Sequence, residues 1–377
     1  MKVEPMLIHI PDEDIKDLRK RLENTRWSPP IPGSNWEDGT DADYLRDLIT
    51  YWVTKYAWRK REAELNKLDH NIAEIDNRKI HFIRANGKGS KNIPLLLLHG
   101  WPSSFIQMLK IIPLLTESRN DGTPGFDVIV ASMPGYPFSQ FPTQPGMSFA
   151  KIAELMTKLM TELGYQKFAA RGSDQGALVQ QQIGLKYPER LIGIHRSGIT
   201  PFAFPLPDNL SPAEVEYQKR VESWAKKETA YASLQALRPE TLTPALSDSP
   251  VALASWFIEK FQRWGGCGVN IDEHFGRDNL LDNLSLHWFT KSAAASTRLY
   301  RESARDPGLK GRVEVPTAIM MPLHDGVTVP APREWAERTY NVQRWTILNK
   351  GGHFPEWEAP EETANDIRQF FAELEDY

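Results

Sequence analysis

Phe168-Ala169-Ala170-Arg171-Gly172-Ser173-Asp174-Gln175-Gly176-Ala177-Leu178 joins a short strand to a helix through a Gly-Ser-Asp-Gln-Gly turn. The strand reading covers 167–171, and the helix runs from Ala177 to Lys186 with Ala177, Leu178, Ile183 and Leu185 as its apolar positions. Such a turn presents Asp174 at the start of the helix, where unpaired backbone N–H groups and the helix dipole favour a negative charge. Partial burial would raise the carboxylate pKa, and these donors oppose that shift. An aspartate here needs no base to become a nucleophile. With a reference pKa of about 3.9 it is already ionised at neutral pH, whereas a serine must surrender its proton as it attacks. The same five residues fit an aspartate that only caps the helix, and alone they do not separate the two readings.

Outward from this turn, 80–84, 93–98, 128–132, 315–321 and 345–349 are short strand-like runs separated by longer helical ones. The clearest helix spans 148–163, with Ile152, Leu155, Met156, Leu159 and Met160 on one side and Gly164 at its end; another spans 360–374. Strands alternating with helices predict an α/β architecture, a mostly parallel sheet flanked by helices. Residues 200–312 contain little that resembles a strand. They open with proline-rich 201–212, where Ser211-Pro212-Ala213-Glu214 is a capping box with proline at the first helical position. This segment is expected to be a helical lid inserted into the sheet domain. Residues 11–27 and 41–66 have helical apolar spacing and flank the connector 28–34, which predicts an N-terminal arm wrapping the main domain. The expected organisation is arm 1–90, sheet domain 91–199, lid 200–312 and the rest of the sheet domain 313–377.

A chain of 377 residues with formal net charge -4 offers no basic face for nucleic acid or anionic lipid. The N-terminal apolar patch, 6–11, is too short for a signal peptide or a membrane span. Cys267 is the single cysteine, which excludes an intramolecular disulfide and gives no metal-ligand spacing. A soluble cytoplasmic protein is therefore expected. Twelve tryptophans and sixteen phenylalanines could line an apolar pocket or fill a core. Composition leaves homo-oligomerisation open.

The Gly-x-nucleophile-x-Gly elbow of α/β-hydrolases calls for an acid and then a histidine later in the chain, each after a strand. Asp325 follows 318–321 in Pro322-Leu323-His324-Asp325-Gly326, and His353 follows 345–348 in Asn349-Lys350-Gly351-Gly352-His353. Asp325 before glycine also fits an ordinary turn residue. His324, Glu356 and Glu358 read as bystanders by placement. His99-Gly100-Trp101-Pro102 follows the strand 93–98, so the backbone N–H groups of Trp101 and Gln175 are placed to form an oxyanion hole, although a plain strand-ending turn fits those four residues too.

Together with Ile10-Pro11-Asp12, Asn24-Thr25-Arg26-Trp27, Met133-Pro134-Gly135-Tyr136, Ser247-Asp248-Ser249-Pro250 and Gly351-Gly352-His353-Phe354, these motifs make the chain resemble the microsomal-type epoxide hydrolases over nearly its whole length. The resemblance implies the α/β-hydrolase fold, an Asp174 nucleophile, a His353–Asp325 pair and two lid tyrosines that bind the epoxide oxygen. The matching positions are Tyr231 in Glu228-Thr229-Ala230-Tyr231 and Tyr300 in Arg298-Leu299-Tyr300-Arg301. It further implies a small apolar epoxide as substrate and no metal or organic cofactor. Mammalian and insect members of the branch carry a membrane anchor before the arm, whereas this sequence begins at the arm, so no anchor is expected. Several relatives have glutamate as the acid, and this chain offers the shorter Asp325. The nearest rival is a haloalkane or haloacid dehalogenase, which shares the ionised nucleophile but uses indole-type donors for the halide, typically a tryptophan directly after the nucleophile, where this chain has Gln175. A serine esterase would need Ser173 or Ser103 as nucleophile, and a non-catalytic binding protein of the same fold would need no intact triad.

Overall fold

A computed structural model describes residues 2–89, 91–119, 121–199, 208–266, 268 and 270–374. Cys267 and the proline-rich 201–207 lie outside the described residues. Three helices, α1 (Asp12–Glu23), α2 (Ala42–Thr54) and α3 (Trp58–Leu65), form the N-terminal arm. The helical spacing over 41–66 is broken between α2 and α3. The chain turns at Tyr56, whose N–H bonds the Tyr51 carbonyl and whose hydroxyl reaches Asp282, 2.8 Å away in the lid.

Nine strands make one sheet: β1 (Lys2–Pro5), β2 (Asp69–Ile75), β3 (Arg78–Ala85), β4 (Asn92–Leu98), β5 (Gly125–Ala131), β6 (Phe168–Gly172), β7 (Leu191–Ser197), β8 (Val313–Pro322) and β9 (Tyr340–Leu348). The order is β1-β2-β3-β5-β4-β6-β7-β8-β9, antiparallel as far as the β3–β5 pair and parallel from there on. Leu95 to Leu98 of β4 are all fully buried, as a central parallel strand covered on both faces requires. Strands β2 and β3 meet at Asp76-Asn77, both with positive φ, the geometry a two-residue hairpin needs. The first ninety residues thus contribute three strands to the sheet as well as an arm.

Helices α4 (Ile111–Thr116), α5 (Phe149–Glu162) and α6 (Asp174–Lys186) cover the first half of the sheet. The lid is built from α7 (Pro212–Glu228), α8 (Ala230–Leu237), α9 (Pro239–Asp248), α10 (Pro250–Trp264), α11 (Ile271–Phe275), α12 (Arg277–Phe289) and α13 (Ser292–Arg305). The capping box read at Ser211 is present: Ser211 Oγ accepts from Glu214 N at 3.3 Å, and Ser211 N donates to Glu214 Oε2 at 2.8 Å. After β8 come α14 (Arg333–Glu337), α15 (Pro355–Glu358) and α16 (Pro360–Glu373).

Arm and lid are joined by side chains that the sequence spaces far apart. Tyr44, Tyr51 and Tyr56 donate to Asp272, Asp278 and Asp282 at 2.7, 2.9 and 2.8 Å, and Arg61 Nε also reaches Asp282 at 2.9 Å. No helix among the described residues is long and apolar enough to cross a membrane.

Candidate active site

Asp174 sits where β6 ends and α6 begins, with φ +48. A non-glycine residue in this left-handed region is strained, and an elbow stores that strain to push its side chain clear of the sheet. The approach depends on glycine on both sides: a Cβ on Gly176 would run into the Leu98 carbonyl, and one on Gly100 into the side chain of Asp174. Asp174 Oδ1 accepts from Trp101 N at 2.9 Å, in the loop after β4. Its other oxygen, Oδ2, faces His353 Nε2 at 3.4 Å.

His353 follows β9, and its Nδ1 lies 3.1 Å from both oxygens of Asp325 in the loop after β8. Asp325 is fixed in turn by Val327 N at 2.7 Å, Thr328 N at 3.2 Å and Thr328 Oγ1 at 2.9 Å. Burial disfavours a charged imidazole, yet the charge of Asp325, the hydrogen bond that His353 donates to it and the nearby Asp174 carboxylate outweigh it, pushing the His353 pKa up to about 10. The two carboxylates thus favour the imidazolium over the neutral ring.

Above these groups stand the two lid tyrosines, Tyr231 on α8 and Tyr300 on α13. The Tyr231 ring stacks on Trp101 with centroids 5.3 Å apart and meets the Tyr300 ring edge-on at 6.0 Å. Burial, reinforced by the Asp174 charge, raises both phenols well above their ordinary pKa. Asp174, His353, Asp325, Tyr231 and Tyr300 all line one cavity of about 740 Å³, together with Phe149, Leu178, Trp224 and Val327. Every side chain that the sequence nominated is brought together here, and Gln175 and Trp101 flank Asp174 as the elbow geometry requires.

Neither serine meets the imidazole. Ser173 Oγ accepts from Gln107 at 3.0 Å and lies 3.5 Å from Glu356, and Ser103 Oγ donates to the Ser104 carbonyl. The indoles of Trp101 and Trp264 are fully buried and lie outside the cavity lining.

Two residues read as bystanders are not. Glu358 Oε2 accepts from Gly352 N and Gly266 N, both at 2.8 Å, and meets His274 Nε2 at 2.6 Å, while its Oε1 accepts from Phe354 N at 2.8 Å. The carboxylate thus clamps the backbone on each side of His353. Glu356 sits beneath the elbow, accepting from Gln107 at 2.6 Å and lying 2.9 Å from the guanidinium of Arg171, with both side chains of that pair fully buried. The signal for both was two acids in an otherwise apolar post-histidine stretch, Phe354-Pro355-Glu356-Trp357-Glu358, where burial demands partners.

Fold and site together define an α/β-hydrolase-fold enzyme with an aspartate elbow under a helical lid. The model for the epoxide hydrolase N terminus matches residues 3–108, and that for the alpha/beta hydrolase fold matches 93–239. A putative epoxide hydrolase of Stigmatella aurantiaca is 37% identical, with 99% of this chain and 85% of that protein covered. Epoxide hydrolase 1 of Sus scrofa is 32% identical over 99% of this chain and 89% of its own length. The crystal structure of juvenile hormone epoxide hydrolase from Bombyx mori superposes with a TM-score of 0.91 at 29% identity, covering 99% of this chain and 95% of that one. The Aspergillus niger epoxide hydrolase structure gives 0.86 at 27% identity, covering 100% and 97%. The chain belongs to the epoxide hydrolase family.

Proposed function

We propose that the chain hydrolyses epoxides to vicinal diols in two steps, through an ester on Asp174. The observation that carries this reading is the division of one carboxylate: Oδ1 rests on the Trp101 amide while Oδ2 faces His353, beneath two lid phenols in a single cavity. In the first step Asp174 attacks the less hindered or more electrophilic ring carbon and the ring C–O bond opens. The developing alkoxide, a stronger base than a phenolate, takes a proton from the Tyr231–Tyr300 pair.

The imidazolium cannot accept a proton from water, so it must first lose its own. Ester formation removes the Asp174 charge, one of the influences that hold the His353 proton. That proton balances the phenolate left by the first step. Neutral His353, oriented by Asp325, then takes one proton from water as the water attacks the ester carbonyl, and the backbone N–H groups of Trp101 and Gln175 stabilise the oxyanion. The departing diol oxygen takes the second water proton, which restores the carboxylate and the imidazolium.

A dehalogenase would need indole donors aimed at a leaving halide; the indoles of Trp101 and Trp264 lie outside the cavity lining, and Trp224, which lines it, donates its Nε1 to the Gly326 carbonyl at 2.9 Å. What supports a cytoplasmic location is the lone cysteine, which leaves no intramolecular disulfide to maintain. The ester is tested by intact-mass spectrometry of a His353→Gln variant mixed with styrene oxide. An adduct of one substrate mass, located on the peptide bearing Asp174, is expected; styrene diol released at the wild-type rate with no adduct would overturn the two-step route.

A further inference from the structure

Three arginines are fully buried, and two are matched to their surroundings. Arg171 lies against Glu356, and Arg368 donates to the carbonyls of Leu114, Leu115, Glu117 and Pro124. Arg196 is the exception. It is the penultimate residue of β7, opposite Gly172 at the base of the elbow, and only 1% exposed. Its Nε donates to the Gly198 carbonyl at 3.0 Å, its Nη1 bonds the Tyr340 hydroxyl, and its guanidinium lies 4.7 Å from the centre of the Tyr340 ring. All three partners are neutral. Among the described residues no carboxylate pairs with it and Nη2 has no partner. Burial and the neighbouring Arg171 push its pKa down to about 9, which leaves a cation at neutral pH.

A buried cation without a counter-ion is costly unless something of opposite charge arrives. Arg196 lines the catalytic cavity, and so does exposed Lys310. From Asp174 the lining follows α6 through Ala177 and Leu178 to Gln181 and Gln182, which at 1.5 Å of rise per residue extends it roughly 12 Å from the nucleophile. Both acids of the lining, Asp174 and Asp325, stand at the His353 end. The cavity therefore offers an apolar body with a cation in its wall.

We propose that Arg196 is an anion-binding subsite of this cavity and that the chain takes epoxides carrying a carboxylate, which the guanidinium grips while the apolar body of the molecule spans to the elbow. This rests on the epoxide-hydrolysis reading. Terminal epoxides of alkanoic acids from five to eleven carbons would be compared with their primary amides, which match them in shape and lack the charge. At the chain length that bridges Asp174 and Arg196, the acid should exceed the amide in kcat/KM by about tenfold or more, chiefly through KM, as a charge-assisted pair outweighs a neutral one. In Arg196→Met that ratio should fall to about one, whatever the absolute rate. Equal rates for acid and amide at every length in the wild type, or a ratio that survives Arg196→Met, would overturn the proposal. Should the variant not fold, thermal stabilisation of the wild type by undecanoate and not by undecanamide carries the same information. Equal stabilisation by sodium chloride or inorganic phosphate would assign Arg196 to a free anion instead and overturn it. Styrene oxide run in parallel separates the two readings: no diol from styrene oxide or from any acid or amide, with undecanoate still stabilising, would break the activity and leave the subsite standing.

Discussion

The floor and the roof of the cavity are built by different means. On the floor, Asp174, Asp325 and His353 stand on turns after the parallel strands β6, β8 and β9, and backbone hydrogen bonds fix each: Trp101 N on Asp174, Val327 and Thr328 on Asp325, the Glu358 clamp around His353. In the roof, Tyr231 and Tyr300 project from lid helices and are placed by ring packing, Tyr231 against Trp101 and Trp264 with centroids 5.3 and 4.9 Å apart. The lid is held to the arm by three partly buried tyrosine–aspartate hydrogen bonds. On the proposed reading the floor makes and breaks the bonds while the roof binds the epoxide oxygen, and both need their side chains held in place.

The comparison breaks most sharply at the phenols. Tyr231→Phe and Tyr300→Phe should each lower kcat/KM for styrene oxide by roughly 10- to 100-fold, because the other phenol remains, and the double variant by about 10³-fold or more, at or above the two to three orders that loss of an oxyanion-type donor commonly costs. The stability of each variant should change little; a double variant that retains full turnover would show that the roof supplies no proton. On the floor, Glu358→Gln keeps the shape of the clamp and removes its charge. A fall of about tenfold in kcat with KM nearly unchanged is expected, the usual scale for a group that orients another. Equal losses in a variant of an arm tyrosine would show that the effect is merely structural.

The smallest expected effect concerns pH. The folded-state pKa of His353 is raised above its unfolded value of about 6.5, so its contribution to stability is fully present below that pH and is lost as pH rises towards about 10. The melting temperature of the wild type relative to His353→Gln should therefore narrow between pH 6.5 and 10, by at least about 3 °C. A gap independent of pH would place the imidazole outside the influence of Asp325 and Asp174.

The same division explains what could be read in the sequence. The floor was legible because each residue sits in a local context that chain order and strand-turn grammar reveal: the glycine-flanked Asp174, Asp325 after 318–321, His353 after two glycines. The tyrosines had no such context, since eleven are present and only ring packing across the lid singles out two; the family resemblance supplied them. Strand β7 escaped notice because Leu191-Ile192-Gly193-Ile194-His195-Arg196-Ser197 ends in polar residues whose burial is paid for by distant partners, Asp366 for His195 and Tyr340 for Arg196. Strand β1 is exposed at every position and carries no alternation, while Asp76-Asn77 was an overlooked hairpin signal for β2. For Glu356 and Glu358 the apolar stretch around them signals burial, but partners such as Gln107, Arg171, Gly266 and His274 lie far off in the sequence.

The measurement that bears most directly on the role of Asp174 is a single turnover in heavy-oxygen water with enzyme in excess over styrene oxide. The label should appear in the carboxylate of the peptide containing Asp174 and be absent from the first diol formed. Label in that diol, with an unlabelled Asp174, would contradict the account.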